Sequence, residues 1–147
     1  MKIIVAGGGT GGHIIPNIAL LDTLKKRLGN ELEVLYIGSK RGMEAKLIPE
    51  HGWNFKGISC GKMRRYFSWE NFLDFFRTLA GIIESLRLVI KFNPEVIFCK
   101  GGYVSFPVAV AGGILGKPVI IHESDVELGL ANRLSAKFAR IICFSYE

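Results

Sequence analysis

The sequence predicts an α/β domain whose core is a doubly wound, mostly parallel sheet. Short apolar runs without alternation recur along the chain, as is typical of strands that are buried on both faces. Segments with a helical spacing of apolar residues separate these runs, which favours parallel strands joined by right-handed crossovers. The 147 residues, of which 49% are hydrophobic, suffice for one domain with its own core.

Six apolar runs are predicted as strands, and five segments between them as helices. The predicted strands cover residues 2–6, 32–38, 53–59, 95–99, 117–123 and 140–144. The predicted helices cover residues 16–28, 41–52, 68–91, 106–116 and 129–139. Pro16 suits a first helical turn, whereas Pro49 breaks the second helix near its end. Ser68 is a good N-cap, and Phe67 and Phe72 occupy hydrophobic-staple positions around it.

The chain is basic, with a formal net charge of +6 at pH 7. This charge suits an anionic partner, such as a nucleotide, a diphosphate or an anionic membrane, but a merely soluble basic surface would also have it. Nucleic-acid binding is not expected, because the cations do not line one face together with stacking aromatics.

The cysteines and the apolar runs indicate in which cellular compartment the protein is expected. Three widely spaced single cysteines predict neither a disulfide framework nor a zinc site, and we expect them to be reduced in the cytosol. No signal peptide is expected, because the first predicted strand begins at Lys2. The longest uncharged run, residues 101–116, is too short and too rich in glycine for a transmembrane helix.

A glycine-rich loop follows the first predicted strand. Gly7, Gly9 and Gly12 have the G-x-G-x-x-G spacing of a Rossmann-like dinucleotide-binding loop. The second predicted strand ends without the acidic residue that would hold a ribose, so a nicotinamide or flavin cofactor is not expected. No Lys-Ser/Thr pair follows the glycines, which excludes a Walker loop. Backbone N–H groups and a helix N-terminus still suit a phosphate or diphosphate.

His13 stands at the junction of this loop and the following helix. An imidazole, with its ordinary pKa near 6.5, suits a general base at neutral pH, but a histidine that only caps or packs is equally compatible with this stretch. Polar loops also follow the fourth and fifth predicted strands, at residues 100–107 and 122–133. Ligands bind between the first and fourth strands of such a sheet, so the three loops predict one site, with ordinary turns as the alternative.

The segments GGGTGGHIIPNIAL, GGYVSFPV and HESDVELGLANRL, in this order, resemble the MurG family of glycosyltransferases. The segment RGMEAKLIPEHG extends the resemblance over nearly the whole chain. Members of this family have the GT-B architecture, in which two Rossmann-like domains face a cleft. They transfer N-acetylglucosamine from its UDP donor to a lipid-linked muramyl-pentapeptide, with inversion and without a metal. The resemblance implies that residues 1–147 are the N-terminal, acceptor-binding domain. It implies that the C-terminal domain, which mainly holds UDP-N-acetylglucosamine, is absent from this chain.

The resemblance also implies roles for individual residues. His13 is the implied base, and Tyr103 and Glu123 line the same cleft as alternative bases or as groups that position the acceptor. The glycine loops bind the acceptor diphosphate, with no cofactor. The implied substrate-binding residues are Gly9, Thr10, Gly11, Gly12, Gly101, Gly102, Ser105, Asp125 and Asn132. Asp125 stands where the family often has asparagine, and a carboxylate cannot donate a hydrogen bond as an amide does.

Residues 61–86 combine cations with aromatic residues. The apolar positions of the predicted third helix cover roughly half of its circumference, wider than the ~100° that a surface helix needs. One interpretation is a core stripe. The other is an amphipathic surface on anionic lipid, consistent with a family that docks to the cytoplasmic face of the membrane. The residues predicted to contact the membrane are Arg64, Arg65, Tyr66, Trp69, Phe72, Phe76 and Leu79.

Two other functions remain compatible with the sequence. A different GT-B transferase could be split into two chains, with this chain as the acceptor-and-anchor subunit for another polyprenyl-linked sugar. A non-catalytic nucleotide-binding module would also have a glycine loop, and it would bind UDP-N-acetylglucosamine tightly without a partner domain.

Overall fold

The computed structural model describes residues 1–61, 69–124 and 129–145. Its strands are β1 (Lys2–Gly7), β2 (Glu33–Ser39), β3 (Phe55–Ile58), β4 (Val96–Gly101), β5 (Val119–Glu123) and β6 (Ile141–Phe144). Its α-helices are α1 (Gly11–Leu28), α2 (Glu44–Glu50), α3 (Trp69–Phe92), α4 (Ser105–Ile114) and α5 (Leu130–Ser135). Single turns of 3₁₀-helix follow α1 and α5 at Gly29–Glu31 and Ala136–Phe138. Each of the six predicted strands is present.

The strands form one parallel sheet in the order β3-β2-β1-β4-β5-β6. This order confirms the predicted doubly wound class. The chain builds the sheet outward from β1 in one direction and then from β4 in the other, so β1 and β4 flank the switch point. Because the strands are parallel, their carboxyl ends lie along one edge of the sheet, which we call the carboxyl edge.

A separate hydrophobic layer covers each face of the sheet. On one face, Val5 of β1 packs in a cluster with Ile14 and Leu21 of α1. On the other face, Ile4 packs in a cluster with Val108 of α4. Neighbouring residues of β1 thus face opposite layers, and all five of these side chains are fully buried. Burial on both faces explains why the strands read as continuous apolar runs.

Helix α1 begins at Gly11, so the predicted start at Pro16 is wrong. Thr10 is the N-cap residue, and Pro16 lies inside the helix, where it has no N–H to donate to the carbonyl of Gly12. Gly12 is exposed, so water can bond that carbonyl instead. The prediction failed because glycines are poor helix formers by propensity, whereas here they form the first turn. The N-cap and staple predicted at Ser68 and Phe67 lie outside the described residues.

Candidate active site

The loops after β1 and β4 meet at the carboxyl edge, above the switch point, beside α5. A Cβ placed on Gly102, in the loop after β4, would collide with the carbonyl oxygen of Gly8 in the loop after β1. A Cβ on Gly101 would lie 3.2 Å from His13 Cε1 and 3.1 Å from Asn132 Nδ2. Asn132 belongs to α5, which follows the loop after β5. The structure therefore brings together the loops after β1 and β4 and Asn132 of α5, which belongs to the third predicted polar segment.

Glycine is required where these loops approach each other. Gly9, Gly101 and Gly102 have φ angles of 90°, 121° and 79°, in the left-handed region that other residues rarely adopt. Side chains at these positions would strain the backbone and would separate the loops, as the contacts of Gly102 show. The surface of the cleft is therefore largely main chain.

The first turn of α1 closes the glycine loop. Thr10, its N-cap residue, is exposed and makes no side-chain capping hydrogen bond. Gly11 and Gly12 follow as the first two helical residues, so their N–H groups belong to the positive end of α1. An exposed hydroxyl beside such a helix end suits a bound phosphate.

His13 is the third residue of α1 and is half-buried. Its backbone N–H donates to the carbonyl of Thr10 at 3.1 Å, which fixes the residue in the first helical turn. A Cβ on Gly102 would lie 3.3 Å from His13 Cδ2, so one edge of the ring faces the loop after β4. The imidazole thus lies between the loops after β1 and β4, where a ligand that spans both would contact it.

Tyr103 packs over the first glycine loop, since a Cβ on Gly9 would lie 2.9 Å from Tyr103 Cε1. Burial raises the pKa of Tyr103, and the negative charge of Glu44 raises it further. The Ser39 side chain lowers the pKa but does not outweigh burial. Tyr103 therefore remains a protonated phenol at neutral pH. This state fits a group that positions a ligand better than it fits a base.

Glu123 organises the loop after β5. Its carboxylate accepts hydrogen bonds from the N–H groups of Ser124 at 2.9 Å and Gly129 at 3.1 Å, and from Asn132 Nδ2 at 2.9 Å. Glu123 is only 2% exposed. The buried carboxylate is thus bonded to its own loop, which leaves His13 as the better-placed candidate base. Asn132, also buried, connects α5 to this loop.

Ser105 supports the loop after β4 from below. Its hydroxyl accepts from the N–H of Gly101 at 3.2 Å and lies 2.7 Å from the Gly101 carbonyl and 3.3 Å from that of Ala6. The side chain is fully buried, so it holds the loop rather than facing the cleft. Asp125, the other polar residue expected in the site, lies outside the described residues.

Sequence reasoning missed Glu44, which lies beneath the first glycine loop. Its carboxylate is fully buried and accepts from the Ser39 N–H at 2.8 Å, the Ser39 hydroxyl at 2.7 Å and the Gly9 N–H at 3.3 Å. Its position in the sequence could have indicated that it is buried, because Glu44 comes four residues before Ile48 and so lies on the same, buried face of a short helix.

Two further polar residues at the carboxyl edge lie in the predicted polar segments but were assigned no role. Lys100, the penultimate residue of β4, is only 2% exposed. Burial lowers the pKa of His122 on β5, and the positive charge of the nearby Lys100 lowers it further. The Glu123 carboxylate has the opposite effect. His122 is therefore held as a neutral imidazole near neutral pH. The sequence feature that could have drawn attention to Lys100 and His122 is the single lysine at the end of an apolar strand.

Helix α3 presents a long apolar surface. The exposed apolar residues are Phe72, Leu73, Phe75, Phe76, Leu79, Ile83 and Ile90. Phe76 makes edge-to-face contacts with Phe72 and Phe75, at centroid distances of 5.0 and 5.7 Å. Val89 faces the core instead. The interpretation of this stripe as core is therefore wrong for its exposed members, including Phe72, Phe76 and Leu79.

The remaining predicted membrane contacts are not described. Arg64, Arg65 and Tyr66 lie outside the described residues, and of Trp69 only the place in α3 is known. None of the helices described by the structure has the length and hydropathy needed to span a bilayer.

Together, the fold and the site define a Rossmann-like domain with a main-chain cleft suited to a phosphorylated ligand at its switch point. The family model described as the glycosyltransferase family 28 N-terminal domain matches residues 3–143. The chain belongs to glycosyltransferase family 28 and carries its N-terminal domain.

Curated relatives agree with this assignment. A UDP-N-acetylglucosamine–N-acetylmuramyl-(pentapeptide) pyrophosphoryl-undecaprenol N-acetylglucosamine transferase from Lachnospira eligens is 49% identical over 145 residues, covering 99% of this chain and 40% of the relative. The protein of the same name from Legionella pneumophila strain Corby is 48% identical over 146 residues, covering 99% of this chain and 39% of the relative. The chain thus spans about 40% of the length of the curated relatives it matches.

A solved structure confirms the fold. The crystal structure of Acinetobacter baumannii MurG matches with a TM-score of 0.84 and 24% identity, covering 99% of this chain and 41% of that one. The resemblance predicted from the sequence motifs is therefore confirmed for the family and for the Rossmann-like fold.

Proposed function

We propose that this chain is the acceptor-binding half of a peptidoglycan-synthesis enzyme. The enzyme transfers N-acetylglucosamine from UDP-N-acetylglucosamine to undecaprenyl-diphosphate-linked muramyl-pentapeptide. The observation that carries the proposal is the meeting of two glycine-rich loops and the N-terminus of α1 around His13. Curated relatives at 44–49% identity, which are named for this transfer, support it. A second domain, corresponding to the rest of the relatives' length, supplies most of the UDP-sugar site.

The acceptor diphosphate binds to main-chain atoms of the cleft. The N–H groups of Gly11 and Gly12 at the positive end of α1, together with the exposed Thr10 hydroxyl, provide donors on one side. The loop at Gly101 and Gly102 provides the other side, and its glycines allow close approach of the phosphates. The net charge of +6 favours this anionic substrate.

His13 acts as the general base. Its imidazole takes the proton from the acceptor hydroxyl, whose oxygen attacks the anomeric carbon of N-acetylglucosamine. The new carbon–oxygen bond forms as the bond to UDP breaks, and UDP leaves with the electron pair, so the configuration inverts. Two observations favour His13 over the alternatives: Glu123 is bonded within its own loop, and Tyr103 has a raised pKa.

The exposed apolar surface of α3 rests on the cytoplasmic face of the membrane. Phe72 is 64% exposed and Phe76 is 52% exposed, which is unfavourable in water and favourable at a lipid interface. Arg64 and Arg65, which precede this helix in the sequence, add attraction to anionic lipid. Peripheral docking brings the cleft to an acceptor that remains anchored in the bilayer.

Acceptor selectivity tests the proposal. The complete enzyme, with its donor-binding domain, should transfer labelled N-acetylglucosamine to muramyl-pentapeptide lipid and not to polyprenyl diphosphates that carry other sugars. A preference for another polyprenyl-linked sugar would support the split transferase instead. Tight binding of UDP-N-acetylglucosamine by this chain alone, with no transfer by the complete protein, would support a nucleotide-binding module.

A further inference from the structure

The carboxylate of Glu44 is buried beneath the cleft. Glu44 is fully buried at the first position of α2, and in the described part of the chain no cation lies within salt-bridge distance of it. Burying a carboxylate in this way is costly unless hydrogen bonds compensate. Ser39 and Gly9 supply those bonds, so the group depends on the two loops that it connects.

Glycines make room for this carboxylate. A Cβ on Gly8, Gly38 or Gly42 would collide with the Glu44 side chain. These glycines come from the loop after β1, from β2 and from the segment before α2. Three separate parts of the chain therefore leave space for one side chain, which indicates a specific location for its carboxylate rather than incidental burial.

The Ser39 side chain and backbone both hold one oxygen of the Glu44 carboxylate. Ser39 Oγ donates its single proton to Glu44 Oε1 at 2.7 Å, and the Ser39 N–H donates to the same oxygen at 2.8 Å. This oxygen is thereby fixed at the end of β2. The second carboxylate oxygen accepts from Gly9, over which the Tyr103 ring packs.

We propose that Glu44 is a positioning residue for the acceptor site. One oxygen of its carboxylate accepts from Ser39 at the end of β2, and the other accepts from the N–H of Gly9. Glu44 thereby sets the loop over which the Tyr103 ring packs. It does not touch the substrate. The identity of the acceptor rests on the proposed function, whereas the effect on the loop does not.

Glu44→Gln tests this role with almost no change of shape. The side-chain carbonyl of glutamine can accept from Ser39, but its NH₂ group then faces the N–H of Gly9, so that two donors oppose each other. In ¹⁵N-labelled protein, we expect the amide resonances of Gly9 and Tyr103 to shift and their hydrogen exchange to accelerate. Ser39→Ala removes one donor to Glu44 Oε1 and keeps the acceptor for Gly9, so it should shift the same two resonances less than Glu44→Gln does.

Glu84→Gln is the matched control. Like Glu44, Glu84 accepts from a backbone N–H and a serine hydroxyl, here the Ser59 N–H at 2.5 Å and Ser59 Oγ at 3.2 Å. Unlike Glu44, it also accepts from a lysine, Lys40 Nζ, at 2.6 Å. It lies on α3, outside the first glycine loop. In the complete enzyme, Glu44→Gln should raise the acceptor KM on the order of tenfold and leave the UDP-sugar KM unchanged, whereas Glu84→Gln should leave both unchanged.

The two readouts separate this inference from the proposed function. If the wild-type enzyme does not use muramyl-pentapeptide lipid, the proposed function fails, and the resonances of Gly9 and Tyr103 still test Glu44. The inference is overturned if Glu44→Gln moves these resonances no more than Glu84→Gln does. If Glu44→Gln does not fold, Ser39→Ala decides: an unchanged Gly9 resonance overturns the inference, and a shifted one supports it.

Discussion

Gly102→Ala tests the close approach of the two glycine loops, with Gly116→Ala as its control. Both glycines have left-handed φ angles, 79° at Gly102 and 65° at Gly116. A Cβ on Gly116 would meet nothing within 4 Å, whereas a Cβ on Gly102 would collide with the carbonyl oxygen of Gly8. The backbone strain is therefore common to the two variants, and only the collision distinguishes them.

The structure gives the size of the expected difference. An alanine in the left-handed region costs about 1–2 kcal/mol of backbone strain. The alanine also makes the unfolded chain stiffer, which returns about 0.4–1 kcal/mol. Gly116→Ala should therefore lower the free energy of unfolding by about 1 kcal/mol. Carbon–oxygen contacts normally need ~3.3–3.6 Å, so Gly102→Ala must also separate the loops by about 1 Å. The overpacking should bring its total loss to about 2–4 kcal/mol.

Urea unfolding of the two variants measures this difference, and initial rates of the complete enzyme measure its effect on transfer. A displacement of about 1 Å in a reacting geometry lowers the rate roughly 10²-fold, so we expect that loss for Gly102→Ala and near-normal rates for Gly116→Ala. Equal unfolding free energies and equal rates for the two variants would refute the close approach of the loops as a requirement of the site.

Three further predictions concern the base, an acid-sensitive contact and the membrane surface. His13→Ala should lower kcat of the complete enzyme ~10²–10⁴-fold with less effect on KM, and a near-normal kcat in steady-state assays would exclude His13 as the base. Burial raises the pKa of Glu84, but its hydrogen bonds outweigh burial and leave that pKa below its usual 4.5. The resulting stabilisation is complete above pH 4.5 and is lost as the pH falls through the lowered pKa, so urea unfolding at acid pH should show a loss that Glu84→Gln lacks. Phe72→Ser with Phe76→Ser should weaken binding to anionic vesicles on the order of a hundredfold in sedimentation assays, whereas Ile15→Ser, equally exposed on α1, should not; equal effects would contradict docking through α3.

The fold could be predicted because its signals are local. Each apolar run and each helical stripe lies within a short stretch of sequence, and their alternation restricts the sheet to parallel crossovers. The meeting of the loops after β1 and β4 followed from the alternation of strands and helices, which places both loops beside the switch point of a parallel sheet. The start of α1 could not be predicted in the same way, because the helical conformation of Gly11 and Gly12 depends on the loop around them and opposes their intrinsic propensity.

The polar support of the site was beyond the reach of local patterns. The spacing of Glu44 from Ile48 places it on the buried face of α2, but only the folded chain shows that its carboxylate meets Gly9 and Ser39. Ser105 shows the converse: it stands in a polar, glycine-rich loop, yet its hydroxyl faces the backbone beneath. Whether a polar side chain faces a cleft or supports it depends on tertiary contacts, which spacing does not encode.

The facing glycines also limit which substitutions could make the protein resistant to an inhibitor. A molecule that bound across Gly8 and Gly102 would contact main-chain atoms, which no substitution removes. A side chain at Gly102 would push the two loops apart and damage the cleft together with the inhibitor's contacts. Resistance would therefore have to arise at the surrounding side chains, such as Thr10 and Tyr103, and a compound that avoided them would leave the chain few tolerable changes.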